Sequence, residues 1–213
     1  PSIMAKTTGL GLIELPSIFE RLSPDIVFTV GDRFETMATV LSAAYMNIPI
    51  AHTMGGELSG SIDESIRHAI TKFSHVHFPA SKNAYTRILK LGEDKKMVKL
   101  VGCPRIDLVS EILKKNFNKI PNNLFDLGVG EQIDLSKNFF LVSFHSVTSE
   151  FGDAQGQMMN IFEALKLFDY QSIILWPNAD AGSDDIARAI RKWREEKLDK
   201  KMHFFKNLEI NDY

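Results

Sequence analysis

The sequence predicts an α/β protein with parallel sheets, divided into two domains joined near residue 125. Three observations predict this. Strand-length apolar runs alternate with helix-period segments up to about Leu113, the pattern of βαβ units. The alternation then fails between about Lys114 and Lys137, where Asn116, Asn118, Pro121, Asn122, Asn123, Gly128 and Gly130 cluster as in a linker. A second α/β series begins at Phe139.

The first series opens with a helical pattern carrying Leu12, Leu15, Phe19 and Leu22. Ile26–Val30 reads as a buried strand, introduced by Pro24-Asp25 and ended by Gly31, and Phe34–Met46 as a helix. Ile48–His52 is a second strand whose Pro49 suits a strand start. Beyond the loop Met54–Gly60 a helix spans Ile62–Phe73, with Ile62, Ile66, Ile70 and Phe73 on one face. His75–Pro79 reads as a strand, Lys82–Leu91 as a helix and Val98–Val101 as another strand. The helix after Pro104 has Ile106, Leu108, Val109, Ile112 and Leu113 as its apolar positions. The second series is strand Phe139–Phe144, helix Gln155–Phe168, strand Ser172–Trp176, helix Asp184–Glu195 and strand His203–Phe205.

Composition narrows the functions. The 213 residues are 44% hydrophobic and 24% charged, which is ordinary for a globular chain and excludes a fibre or a low-complexity scaffold. With 27 acidic against 25 basic residues the net charge is −2, so no nucleic-acid partner and no anionic membrane surface is indicated. Cys103 is the sole cysteine, which excludes an intramolecular disulfide and points to a reducing, cytoplasmic setting. Apolar runs fall well short of the roughly 20 residues of a membrane helix, and no secretory signal opens the chain. The start at Pro1, and the end just past an apparent strand, lead us to expect a fragment that lacks sequence at both ends and exposes apolar sheet edges.

Ligands of such sheets bind beyond the carboxyl ends of the strands. That rule selects Gly31-Asp32-Arg33, His52–Gly60, His145–Thr148 and Pro177–Ser183, four polar segments expected to meet in one cleft if the domains face each other. Asp32 is placed to act as a base or to bind hydroxyls, or else to cap the following helix. Arg33 has the planar fork that clamps a diphosphate, unless it is a plain surface arginine. Gly55, Gly56 and Gly60 let the backbone approach a ligand closely, or only turn the chain. Ser61 and Glu64 fit a capping box, and Asp63 and Glu64 lie one helical turn before Arg67 and His68. These i,i+4 pairs are either solvated surface or a polar constellation at the cleft.

His75 and His77 share a strand face without a third ligand, so no metal site is expected. His145 ends a predicted buried strand with room to touch a ligand, whereas Asn178, Asp180 and Ser183 sit at a helix start suited to anions, Ser183 alternatively being its cap. Gly128-x-Gly130 lacks the third glycine and the preceding strand of a dinucleotide fingerprint, and no Walker loop, nucleophile elbow or zinc motif is present.

Pro24-Asp25-Ile26-Val27 through Gly31-Asp32-Arg33, Gly55-Gly56-Glu57, the run Asp63–Lys72, Gly102-Cys103-Pro104 and Pro177–Ser183 together resemble the hydrolysing UDP-N-acetylglucosamine 2-epimerases of sialic- and nonulosonic-acid pathways. The resemblance covers nearly the whole chain. It implies the GT-B fold of two Rossmann-like domains, here 1–124 and 125–213, both incomplete. It also implies elimination of UDP from UDP-GlcNAc to a 2-acetamidoglucal, followed by hydration to N-acetylmannosamine, with no redox cofactor.

By the same resemblance Asp32, Asp63 and His145 are catalytic, and Arg33, Gly55, Gly56, Arg67, His68, Asn178, Asp180 and Ser183 bind substrate. A homo-oligomer, dimer or tetramer, is expected of the full-length protein, and the fragment itself is expected to be inactive. Two departures stand out. Met54 replaces the catalytic carboxylate of a His-Ile-Glu-Gly-Gly-Glu motif, so that Glu57 or Asp63 would take its step; and His145-Ser146-Val147-Thr148-Ser149 replaces His-Pro-Val-Thr-Thr. The alternatives are a sister enzyme acting on a UDP-2,4-diacetamido-2,4,6-trideoxy sugar and a non-catalytic nucleotide-sugar binding protein.

Overall fold

The structure, a computed structural model, describes residues 2–114, 123–146, 152–178 and 182–208. It divides into two compact units, Pro1–Glu111 and Ile112–Tyr213.

In the first unit α1 (Ser2–Leu22) precedes β1 (Val27–Val30), α2 (Phe34–Tyr45), β2 (Ile50–Thr53), α3 (Ile62–Phe73), β3 (Val76–Phe78), α4 (Lys82–Lys90) and α5 (Pro104–Lys114). The three strands form a parallel sheet in the order β1-β2-β3, with Thr29 opposite His52 and His52 opposite His77. Short apolar strands separated by amphipathic helices can pair only through such crossovers. Phe19, Val27, Val40, Ala43, Ile50 and Ile70 form the core between helices and sheet. Gly11 allows α1 to lie close on α2, because a Cβ there would meet Ala38 Cβ at 2.9 Å.

Two expectations for this unit are corrected. Val98–Val101 is no strand: Val98 makes an isolated parallel bridge to His77, and the Lys99 and Val101 N–H groups donate to the His77 and Pro79 carbonyls at 2.8 and 3.3 Å. Leu22 is exposed rather than part of the α1 stripe, since the helix ends there and Ser23 turns into the left-handed region.

The second unit contains β4 (Gly128–Gly130), β5 (Phe139–Ser143), α6 (Ala154–Lys166), β6 (Gln171–Leu175), α7 (Ser183–Glu195) and β7 (Met202–Phe205). Its sheet has the order β4-β7-β6-β5, with β5, β6 and β7 parallel and β4 antiparallel. Alternation along the buried strands feeds two cores. Ile174 and Phe204 pack on α6 and α7, where Phe162 stacks on Trp193 at 4.9 Å, while Ile173 and Phe205 pack on Leu124 and Ile133.

Gly128 and Gly130 build β4, a strand that the loss of regularity around residue 125 concealed. A Cβ at either position would come within 2.3 Å of His203 Nε2 or of the Met202 carbonyl. β5 is an edge strand with Phe139 and Leu141 exposed, not the buried strand expected; in the first unit's sheet β1 is likewise an edge strand that exposes Phe28 and Val30, where a buried strand was expected. No helix among the described residues is long and apolar enough to cross a membrane.

Candidate functional site

The carboxyl ends of β1 and β2 carry a connected polar constellation. Gly31 leaves β1 with a positive φ of 69°, a conformation that glycine adopts without penalty, and this turn presents Asp32 beside α3. Asp32 is not a helix cap, because Arg33 occupies that position of α2 and makes no side-chain cap hydrogen bond. Instead the Asp32 carboxylate forms an ion pair with Arg67 Nη2, its side chain 24% exposed against 9% for Arg67.

The same guanidinium reaches the second loop. Arg67 Nη1 donates to the Glu57 carbonyl at 2.7 Å, and Nη2 lies 3.3 Å from Ser59 Oγ. Burial lowers the Arg67 pKa from its usual high value, and the guanidinium stays charged at any pH a folded protein meets. Arg67 therefore turns away from Asp63, its predicted i,i+4 partner, and ties the Asp32 turn to the Gly55-Gly56-Glu57 loop.

His52, on β2, joins the two segments a second time. It is fully buried, and its Nε2 lies 2.7 Å from the Gly31 carbonyl. A carbonyl only accepts, so Nε2 carries the proton. Burial, outweighing this hydrogen bond, pushes the His52 pKa down to about 4, so the ring is neutral. Gly55 packs against that ring: a Cβ there would approach His52 Nδ1 to 2.9 Å and Thr71 Oγ1 to 3.0 Å. Gly56 packs against α4, where a Cβ would lie 2.5 Å from the Ala84 carbonyl. Two of the three glycines predicted to approach a ligand are thus already required by the protein's own packing, and Gly60 alone has open space beside it.

Glu57 points its carboxylate at the start of α4, where Ser81 Oγ donates to Glu57 Oε1 at 2.8 Å. Glu64 reaches back to the Ser59 and Gly60 N–H groups at 2.7 and 2.8 Å, and these bonds lower its pKa, that from Gly60 most. This is half a capping box shifted into the loop, because Ser61 occupies the cap position without a capping bond. Ser61 Oγ lies 3.4 Å from Asp63 Oδ2, and His68 Nδ1 is buried without a hydrogen-bond partner among the described residues. Arg33 is exposed and binds Glu35 through Nε and Nη2 at 3.1 and 3.2 Å.

In the second unit His145 is exposed beyond the end of β5, with Nε2 3.3 Å from Ser143 Oγ. Asn178 is exposed after the end of β6. Ser183 is the first residue of α7 and not its cap, which is Gly182 at a φ of 91°. Asp180 and Val147-Thr148-Ser149 lie outside the described residues. No group of three or more metal-ligating side chains occurs among the described residues.

Sequence reasoning placed His52 in a candidate segment without giving it a role, and missed Ser81 and Arg87, whose Nη1 donates to the Gly56 carbonyl. The signals were present: a polar residue inside a buried strand, and a serine directly before a helix. The Asp32–Arg67 pairing, across 35 residues, has no local signal.

Comparison with known proteins agrees with this architecture. Over residues 2–213 the chain matches the family described as UDP-N-acetylglucosamine 2-epimerase. It is 34% identical over 90% of its length to a UDP-N,N'-diacetylbacillosamine 2-epimerase (hydrolyzing) from Legionella pneumophila, covering 49% of that protein. It is 32% identical over 99% of its length to a GDP/UDP-N,N'-diacetylbacillosamine 2-epimerase (hydrolyzing) from Campylobacter jejuni, covering 53% of it. A UDP-N-acetylglucosamine 2-epimerase from Neisseria meningitidis is 29% identical over 92% of the chain and is covered over 50%.

The chain thus spans about half the length of the curated relatives it matches. Among solved structures, the Neisseria meningitidis UDP-GlcNAc 2-epimerase bound to UDP-GlcNAc superposes with a TM-score of 0.76 at 18% identity, over 97% of this chain and 55% of that one. The Methanocaldococcus jannaschii enzyme in complex with UDP-GlcNAc and UDP also gives 0.76 at 18%, over 98% and 57%. These neighbours share the expected fold class of Rossmann-like α/β domains of GT-B type. With its sequence matched from residue 2 to its end and its parallel sheets matched in space, the chain belongs to the UDP-N-acetylglucosamine 2-epimerase family.

Proposed function

We propose that the chain is part of a hydrolysing 2-epimerase that acts on a UDP-2-acetamido-2-deoxy sugar. The observation that carries this reading is the tie between Asp32 and the Gly55-Gly56-Glu57 loop through Arg67, which holds two carboxylate-bearing segments together at the carboxyl edge of a parallel sheet.

The reaction needs an acid/base pair. A carboxylate removes the C2 proton while the C1–O bond to UDP breaks, and the electron pair of the C2–H bond becomes the C1=C2 double bond of the glucal. Water then adds at C1, and a proton returns to C2 from the opposite face. Each positioned acid or base contributes about 10²–10⁴-fold.

In our assignment Asp32, ion-paired with Arg67, serves one proton transfer or binds sugar hydroxyls. Glu57 takes the step left open by Met54. It is preferred to Asp63 because Ser81 fixes its carboxylate at 2.8 Å, whereas Asp63 has the longer 3.4 Å contact with Ser61. By the family resemblance Asp63 and His145 are the further catalytic candidates, and Arg33, Gly55, Gly56, Arg67, His68, Asn178, Asp180 and Ser183 are the proposed substrate-binding residues.

Two substrates fit this class. Relatives above 30% identity that bear N,N'-diacetylbacillosamine names favour the 2,4-diacetamido-trideoxy sugar. The family description and the 29% identical Neisseria relative favour UDP-GlcNAc, the substrate expected from the sequence. Competing the two UDP-sugars in one reaction with the full-length protein tests the choice: preferential consumption of the diacetamido sugar supports the first, and of UDP-GlcNAc the second.

A further inference from the structure

Helix α4 grips the Gly55-Gly56-Glu57 loop at three places, and none of these contacts is explained by the stability of α4 alone. Ser81 Oγ accepts from the Ala84 N–H at 3.1 Å, which caps the helix, and the same hydroxyl donates its proton to Glu57 Oε1 at 2.8 Å. One turn further along, Arg87 Nη1 donates to the Gly56 carbonyl. Between them Gly56 sits so close to the Ala84 carbonyl that no Cβ would fit. Carbonyl, glycine and carboxylate are successive parts of one segment, each answered by successive positions of one helix.

We propose that Ser81 is a positioning residue for Glu57, its hydroxyl holding the carboxylate in the geometry for proton transfer, while Arg87 fixes the backbone from which Glu57 projects. This rests on the assignment of Glu57 as an acid/base group. A serine hydroxyl suits the task because it donates to the carboxylate while its lone pair stays on the helix N–H. The two duties are chemically separable. Ser81→Gly keeps a favoured residue at the helix cap but has no proton to give to Glu57 and adds no charge beside it; Ser81→Thr performs both duties.

The test is a double-mutant cycle in the full-length protein, with whichever of the two UDP-sugars it turns over. Ser81→Ala lowers kcat by about 10- to 100-fold with KM within about twofold, a part of the ~10²–10⁴ that a positioned acid or base supplies. Ser81→Gly lowers kcat as much while melting close to the wild type, and Ser81→Thr restores it. In a Glu57→Gln background, Ser81→Ala has no further effect on kcat.

An equal loss in both backgrounds overturns the proposal, as does a wild-type kcat in Ser81→Gly, since the hydroxyl would then act only as a cap. Loss of kcat by Ser81→Ala beside a fully active Glu57→Gln overturns it through the assignment of Glu57. Failure of the wild type to turn over either sugar overturns the functional reading instead. Backbone amide exchange of residues 55–58 then still decides the positioning: Ser81→Ala and Arg87→Met each accelerate it at least about threefold, and unchanged exchange in both contradicts the proposal.

Discussion

Arg67 on α3 binds the Asp32 carboxylate at the end of β1, and through its other terminal nitrogen holds the Glu57 carbonyl of the loop after β2. A planar guanidinium makes both bonds at once because its donors diverge in a fixed fork. An ammonium on a flexible stem has no such pair of directions. Arg67 is thus the piece that turns two loops of separate strands into one surface.

Substitution of Arg67 consequently affects both loops. Arg67→Lys retains the charge near Asp32 but loses the Glu57 carbonyl, so kcat/KM falls by about 10- to 100-fold, equivalent to ~1.4–2.7 kcal/mol of transition-state stabilisation. Asp32→Asn leaves a guanidinium that is only 9% exposed without its counter-charge. Its cost to stability is about 2 kcal/mol, below the ~3–5 kcal/mol of a fully buried pair because Asp32 retains contact with solvent. Steady-state kinetics and urea unfolding measure the two effects, and an Arg67→Lys enzyme as active as the wild type would remove Arg67 from this role.

The buried His52 makes stability depend on pH in a definite direction. Its pKa falls from 6.5 in the unfolded chain to about 4 in the fold. Between these values the unfolded state binds more protons, so stability rises with pH from 4 to 6.5 and is level above. The span is on the order of 3 kcal/mol at 1.36 kcal/mol per pH unit. Burial lowers His77 and His203 in the same sense, so they steepen the same limb. His52→Gln keeps an N–H for the Gly31 carbonyl but cannot titrate. Urea unfolding at pH 4.5 and pH 7 should show a smaller difference for this variant than for the wild type.

Glycines of similar backbone conformation in the same loop separate packing from conformation. Gly56 and Gly60 have φ values of 79° and 69°, but only Gly56 is crowded, by the Ala84 carbonyl and Ile88; nothing lies within 4 Å of a Cβ at Gly60. Gly60→Ala therefore costs only the left-handed conformation, about 1–2 kcal/mol. Gly56→Ala adds a backbone clash and costs at least about 2 kcal/mol more, in the range of overpacked sites. Thermal unfolding of the two variants in parallel checks the difference, and equal losses would mean that α4 does not press on the loop.

Much of the fold was legible because its signals are local. Ile26–Val30, Ile62–Phe73 and Asp184–Glu195 carry apolar periods that any sheet-and-helix packing must use, and each differs from the observed element by at most one residue at its start. Val98–Val101 was misread because its apolar run forms one bridge and then leaves the sheet, which is decided by the place of its neighbours. β4 was missed for the opposite reason: Gly-Val-Gly has poor strand propensity, and only the backbone of β7 and the ring of His203 explain why glycine is needed.

At the candidate site, Asp32, Glu57 and Arg67 were legible as residues and not as partners. The i,i+4 rule offered Asp63 to Arg67, and a tertiary contact across 35 residues took its place. Ser81 was hidden because its local role, capping α4, accounts for it completely until Glu57 is seen at its hydroxyl.

The central claim is elimination of UDP followed by hydration, and it is tested most directly by following the full-length protein with each UDP-sugar in D2O by NMR. The account predicts free UDP and a 2-acetamido sugar of inverted C2 configuration carrying deuterium at C2. Intact UDP-sugar after incubation with folded, UDP-binding protein, or a product that keeps its C2 proton, would contradict it.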